Sequence, residues 1–187
     1  MHALKKHLYF QIDPDLRPPE TQFKAPQTAI IKDYGRMIAD LGNADACYSG
    51  SGWAGHIAFI DPDTPEFAGS LEEFKRMGPR IVTLHPLTIA QNSLHGSFGM
   101  SGDLAAVPPR AATIGPAEVL AAKYRMDNNG LTTAGTFVSW QRLTTRLVAH
   151  GPVTPQVPAS ILQTVPTDFY ITETIAHDIE PIWDQEY

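Results

Sequence analysis

The stretch that decides the predicted fold is Arg80–Met100, "RIVTLHPLTIAQNSLHGSFGM". It opens with an alternation, because Val82 and Leu84 lie on one side and Thr83 and His85 on the other. That alternation is typical of a β-strand with one buried face. Pro86 then favours the end of the strand, because proline cannot donate to a hydrogen-bonded ladder. We therefore predict a strand at 80–85, followed by a glycine-bearing loop that can close over the end of a sheet.

Other segments repeat these patterns and together predict the fold class. Residues 6–13 and 53–60 alternate like strands, and residues 44–50 are predicted to form a short strand. Residues 27–41 carry apolar side chains at three- and four-residue spacing, and residues 70–77 open with a capping box. The resulting order is strand, helix, strand, strand, helix, strand. We predict an α+β fold with a ferredoxin-like βαββαβ core and an antiparallel sheet.

The second half of the chain is predicted to be less regular. Helices are expected at 116–126 and 136–150, and a final strand at 167–177. The whole chain is predicted to be one domain, with its core at 1–90, a loop and helices at 91–150 and a proline-rich extended arm at 151–187. The residues expected in the core are Phe10, Ile12, Ile31, Tyr34, Ile38, Phe59, Phe74, Leu84 and Trp140.

Composition limits the function classes. The chain has 187 residues, of which 43% are hydrophobic and 18% charged, a balance typical of globular proteins. Its net charge is −6 and its basic residues are scattered, which disfavours nucleic-acid binding. The apolar runs are too short to span a membrane and the N-terminus does not resemble a signal peptide, so we expect a cytoplasmic protein. The single cysteine, Cys47, excludes an internal disulfide and is expected to be a small buried hydrophobe.

Three histidines raise the question of a site on the open sheet face. The alternation places His7, His56 and His85 on neighbouring strands, on the face away from the helices. Strands lie about 4.8 Å apart, so the three imidazoles could reach one ion or ligand. They would then hold a divalent metal or act as acid and base. No local spacing matches a known metal motif, so separate, individually hydrogen-bonded histidines are favoured and a metal is not expected.

The predicted site is the open sheet face together with the loop that follows the last strand. Two glycine-rich segments, 48–56 and 92–102, could offer backbone N–H groups to an anion, but simple turns are the favoured interpretation. The residues predicted to be catalytic are His56, His85 and His95, and those predicted to bind ligand are His7, Tyr9, Trp53 and Ser97.

Three function classes remain open. The first is a small-molecule-binding protein or enzyme of unknown reaction with a histidine-lined pocket, expected to be a homo-oligomer. The second is an assembly subunit whose proline-rich arms, 14–26 and 151–187, contact neighbouring copies. The third is an acidic protein that neutralises a basic partner, which the net charge of −6 permits without requiring.

Overall fold

The N-terminal segment is not a strand in the structure. A computed structural model describes residues 2–131 and 139–179. Helix α1 spans His2–His7 and a 3-10 turn covers Tyr9–Gln11. Leu8 and Phe10, which were expected on a buried face, are 54% and 49% exposed, while Tyr9 is buried and donates its hydroxyl to the carbonyl of Pro18 at 2.6 Å. The predicted strand at 6–13 is therefore wrong, because this segment folds onto its own proline-rich connector instead of pairing with a sheet.

The next elements follow the local sequence signals. Helix α2 spans Ile31–Asp40, strand β1 Ala46–Ser49 and helix α3 Leu71–Phe74. The predicted capping box is formed, since the Ser70 side chain accepts from the Glu73 N–H and the Glu73 carboxylate accepts from the Ser70 N–H. Strand β2 spans Arg80–Thr83, within the predicted range.

Two segments were assigned the wrong structure because alternation alone misleads. Residues 53–60 form tight turns, with positive φ at Gly55 (71°) and Ala58 (53°) and an isolated bridge between Ile57 and Ile60. Their apolar residues are buried by the turns and not by a sheet. The loop predicted after β2 instead begins with helix α4, Pro86–Ser93, because proline is suited to the first helical position.

The strand topology overturns the ferredoxin-like prediction. Strand β3, Arg110–Thr113, pairs antiparallel with β2 as a separate two-stranded sheet. Helix α5, Pro116–Ala121, ends five residues earlier than predicted, and strand β4 follows at Tyr124–Asn129. Strand β4 pairs in parallel with β1, in the register Ala46↔Tyr124. The fold is thus α/β in character, with a parallel sheet.

The C-terminal part completes the parallel sheet. Helix α6 spans Gln141–His150, within the second helix predicted there, whose start at 136–138 lies outside the described residues. A 3-10 helix, Pro158–Thr164, follows. Strand β5, Asp168–Ile171, pairs in parallel with β4, giving the order β1-β4-β5, and helix α7 spans Glu173–Ala176.

The buried core draws residues from β2, from helices α3, α5 and α6, and from the 3-10 helix Pro158–Thr164. The buried cluster consists of Ile57, Ile60, Phe67, Phe74, Val82, Leu84, Val119, Val148, Ala159, Ile161 and Leu162. Three predicted core residues, Ile31, Phe74 and Leu84, are buried, whereas Phe10 and Trp140 are about half exposed. Three residues of Pro158–Thr164 belong to the cluster, so this part of the predicted arm packs into the chain's own core.

Candidate functional site

The segment Gly50–His56 leaves the carboxyl end of strand β1, at the edge of the parallel sheet. In α/β folds, ligands bind outside the carboxyl ends of parallel strands, where loops converge. Two groups of buried polar side chains meet at this segment. One lies around His56 and the other around Asp127 of β4. Buried polar groups at such an edge are candidates for a functional site.

The first group is a hydrogen-bonded network around the imidazole of His56. His56 is 7% exposed, and its Nδ1 lies 2.9 Å from Asp61 Oδ1 and 2.7 Å from Thr88 Oγ1. The Thr88 hydroxyl donates to the same carboxylate oxygen at 2.6 Å. The other oxygen, Asp61 Oδ2, accepts from the backbone N–H of His85 at 2.8 Å. Asp61 and Thr88 therefore both contact the imidazole, and the backbone of His85 fixes the other oxygen of Asp61.

Asp61 remains ionised in this network. Burial by itself would raise the pKa of the carboxyl, but hydrogen bonds from His56, Thr88 and the His85 N–H, together with the charge of a protonated His56, lower it below its usual range. A carboxylate that accepts several hydrogen bonds is stabilised in its charged form. Asp61 is therefore an anion at neutral pH, and in that form it can orient His56.

The network also determines which nitrogen of His56 carries the proton. The Thr88 hydroxyl gives its own proton to Asp61, so its oxygen must accept one from His56 Nδ1. Asp61 Oδ1 likewise can only accept, so Nδ1 carries a proton. No hydrogen bond to Nε2 comes from residues 2–131 or 139–179. Nε2 is therefore the ring nitrogen that is left to exchange a proton with a ligand.

Glycine is needed at position 52 because the imidazole packs directly against it. A Cβ atom added to Gly52 would lie 2.0 Å from His56 Nε2 and 2.2 Å from Cε1. No ordinary contact is that short, so any side chain here would displace the ring. Gly52 therefore allows a close approach of the backbone to the imidazole.

The second group surrounds Asp127, which is fully buried at the carboxyl end of β4. Its carboxylate accepts from Ser49 Oγ at 2.5 Å, from Asn129 Nδ2 at 2.6 Å and more weakly from Ser51 Oγ at 3.4 Å. The amide oxygen of Asn129 accepts from the Ser51 N–H at 2.9 Å. These contacts anchor the start of the segment that carries His56.

The structure brings some of the predicted site residues together. Trp53 is buried, and its backbone N–H donates to Gln91 Oε1 of α4 at 2.8 Å. The centroid of its ring lies 5.4 Å from that of Trp140. His85 caps α4, because its Nδ1 accepts from the Leu87 N–H at 3.1 Å. His56, Trp53 and His85 are therefore all attached to α4 or to Asp61.

The other predicted site residues lie elsewhere. His7 is exposed at the end of α1, and Tyr9 is occupied by its bond to Pro18. His95 and exposed Ser97 belong to the 3-10 turn beyond α4, and no hydrogen bond within the described residues joins them to the His56 network. Histidines 7, 56 and 85 do not form a cluster, since the antiparallel sheet that would have aligned them does not exist. Within the described ranges, no group of His, Cys, Asp and Glu side chains could hold a metal ion.

Sequence reasoning missed the residues that hold His56 in place. Thr88 lies in the loop that was predicted after the strand at 80–85, and no role was predicted for Asp61 or Asp127. One signal was available, since "YRMDNN" places Arg125, Asp127 and Asn129 on one face of an extended segment. Polar side chains at alternate positions of a buried strand indicate a network or a site.

Comparisons with known proteins identify similar enzymes. A glucosamine-6-phosphate deaminase of Rhodopirellula baltica is 32% identical over 168 residues, which cover 84% of this chain and 59% of that protein. A glucosamine-6-phosphate deaminase of Lachnoclostridium phytofermentans is 29% identical over 139 residues, covering 74% of this chain and 50% of that protein. This chain thus spans between half and three fifths of these relatives. No protein-family model matches it.

Solved structures support the α/β fold. A monomeric glucosamine-6-phosphate deaminase matches with a TM-score of 0.70 and 22% identity, over 93% of this chain and 65% of the other. The 6-phosphogluconolactonase of Trypanosoma brucei matches with a TM-score of 0.51 and 13% identity, over 88% of this chain and 58% of the other. Both likenesses confirm a Rossmann-like parallel sheet with helices. The chain is therefore similar to enzymes that act on small molecules. This similarity supports the general part of the functional prediction, a small-molecule-binding protein or enzyme.

Among the described residues, no helix is both long and apolar enough to cross a membrane. The expected homo-oligomer and the expected cytoplasmic location stay predictions. The roles assigned to individual site residues from the sequence stay predictions as well.

Proposed function

We propose that this chain carries the acid–base group of a deaminase that acts on a phosphorylated amino sugar, glucosamine 6-phosphate. Two lines support the proposal: the similarity to glucosamine-6-phosphate deaminases over 84% of the chain, and the geometry of His56. The observation that carries it is the buried imidazole whose Nδ1 is held by Asp61 and Thr88, which leaves Nε2 for a substrate. An imidazole oriented in this way is suited to general acid–base catalysis.

The chemistry of an amino sugar requires such a group. A sugar in its ring form must open before its carbon skeleton can lose the amino group. Ring opening removes the proton from the anomeric hydroxyl, breaks the bond between the anomeric carbon and the ring oxygen, and gives that oxygen a proton. We assign both transfers to His56 Nε2, which takes the first proton and returns it. Asp61 stabilises the imidazolium formed between the two transfers.

The two other function classes gain less support. An assembly role required residues 151–187 to contact neighbouring copies, but Ala159, Ile161 and Leu162 belong to the chain's own core. Neutralisation of a basic partner rests on net charge alone. Neither class gives the hydrogen-bonded imidazole of His56 a chemical role.

The test is ammonia release from glucosamine 6-phosphate by the purified chain, by its His56→Gln variant and by a matched control. Glutamine keeps an amide near the position of the ring but cannot exchange a proton near neutral pH. The control, His7→Gln, makes the same chemical change at an exposed histidine in α1. Because general acid–base catalysis contributes about 10²–10⁴-fold, we expect a rate loss in that range for His56→Gln and none for His7→Gln.

Two results would overturn the proposal. One is a chain that neither releases ammonia from glucosamine 6-phosphate nor shows a change in the His56 signals when the sugar phosphate is added. The other is hydrolysis of 6-phosphogluconolactone without ammonia release, which would assign the chain to lactone chemistry. If His56→Gln released ammonia as fast as wild type, the chain would still be a deaminase, but His56 would have no role in its mechanism.

A further inference from the structure

Two side-chain amides hold the backbone of the His56 segment from opposite sides. Asn129 of β4 accepts from the Ser51 N–H at 2.9 Å, and Gln91 of α4 accepts from the Trp53 N–H at 2.8 Å. Both amides are buried, with 4% and 7% of their surface exposed. A buried N–H that loses its acceptor carries a substantial desolvation cost, so the backbone would move to recover a partner. The position of the segment therefore depends on these two side chains.

The residue between the two anchored N–H groups is Gly52, against which the imidazole of His56 packs. The backbone of Gly52 is fixed further, because its N–H donates to the His56 carbonyl at 3.1 Å and its carbonyl accepts from Thr144 Oγ1 at 3.2 Å. An added Cβ would lie 2.0 Å from His56 Nε2, so Gly52 forms the wall beside the reactive nitrogen. Any movement of Gly52 changes the ring position or the space beside Nε2.

We propose that Gln91 and Asn129 are positioning residues that act on His56 through Gly52. The inference rests on the proposed function, because it assigns the two amides a task in the reaction of His56. Neither amide touches the imidazole. Their effect on rate comes from placement, and a misplacement of about 1 Å can cost about 100-fold in rate.

Asn129 has a second contact that makes it a less specific test. Its Nδ2 donates to Asp127 Oδ2 at 2.6 Å, which turns its Oδ1 towards Ser51. Removing the amide would therefore also leave a fully buried carboxylate with fewer donors. Gln91 is the better position, since the one described hydrogen bond of its side chain is the one to the Trp53 backbone N–H.

The experiment compares three variants of the whole chain. Gln91→Leu keeps the approximate size and removes the acceptor, while Gln91→Glu keeps an acceptor oxygen. The matched control is Asn92→Leu, which removes an amide from the neighbouring position of α4, where Nδ2 donates to the Thr88 carbonyl within the same helix. Each variant is assayed for kcat and KM of ammonia release from glucosamine 6-phosphate, and for the His56 ring signals in the NMR spectrum of the ligand-free protein.

For Gln91→Leu we expect kcat to fall about 100-fold, KM to change much less, and the His56 signals to shift. Gln91→Glu should recover most of the rate, and Asn92→Leu should resemble wild type in both readouts. A Gln91→Leu variant that is less stable, but has the wild-type kcat and unshifted His56 signals, would overturn the inference. If wild type releases no ammonia, the proposed function fails separately, and the His56 signals alone decide the positioning role.

Discussion

Asp61→Asn should destabilise the chain strongly at neutral pH. Asp61 is 2% exposed and accepts three hydrogen bonds, from His56 Nδ1, the Thr88 hydroxyl and the His85 N–H. An asparagine oxygen can keep the two bonds on one side, but its NH₂ group faces the His85 N–H, so that donor loses its acceptor. The buried unsatisfied donor and the weakening of two charge-assisted bonds together cost about 3 kcal/mol.

The pH dependence of this loss distinguishes the carboxylate from mere packing. The folded-state pKa of Asp61 is lowered, so its contribution to stability is complete above the ordinary carboxyl pKa of about 4. The contribution is lost as pH falls through the lower, folded-state pKa. Urea unfolding of wild type and Asp61→Asn should therefore show a free-energy difference that is present above about pH 4 and shrinks as the pH falls below that value. A difference below about 0.5 kcal/mol at pH 7, as for a surface substitution, would refute the assignment. A difference that does not change below pH 4 would refute it too.

Three other substitutions test separate parts of the structure. Gly52→Ala forces a methyl group against His56 and should cost about 1–3 kcal/mol in urea unfolding, whereas wild-type stability would show that the ring does not pack there. Ile161→Ala empties a fully buried position and should cost about 2–5 kcal/mol, while a loss below about 0.5 kcal/mol would remove Pro158–Thr164 from the core. Tyr124 donates to Asp168, which raises its pKa to about 12, so Tyr124→Phe should abolish the last tyrosine ionisation in an ultraviolet pH titration. Retention of that ionisation in the variant would contradict the contact.

The helices were predictable where a local signal sets them. The capping box at Ser70 and Glu73 and the proline at position 116 each determine a helix start within a few residues. The parallel sheet was not predictable in this way, because β1 meets β4 across 78 residues, as between Ser49 and Asp127. The sequence of neither strand indicates which other strand it pairs with. Register and direction arise from the packing of the whole chain.

Two of the predicted site residues, His56 and His85, lie close together, but for a different reason from the one predicted. His56 and His85 were expected to share the face of a sheet. They are neighbours instead because a turn brings Asp61 to the start of α4, where it contacts the side chain of one and the backbone of the other. Periodicity could not show this, because residues 53–60 alternate by composition while their backbone turns twice. No local pattern singles out Asp61 or Thr88, and only the fold places them beside an imidazole.

The most direct measurement is the protonation of the two ring nitrogens of His56, read from nitrogen-15 chemical shifts of histidine-labelled protein with and without glucosamine 6-phosphate. His56→Gln identifies the signals among the seven histidines of the chain. The proton is predicted on Nδ1 and the lone pair on Nε2, and the Nε2 signal should shift when the sugar phosphate is added. A proton on Nε2 in the free protein would contradict the proposed role of His56. An Nε2 chemical shift that does not change when the sugar phosphate is added would contradict it as well.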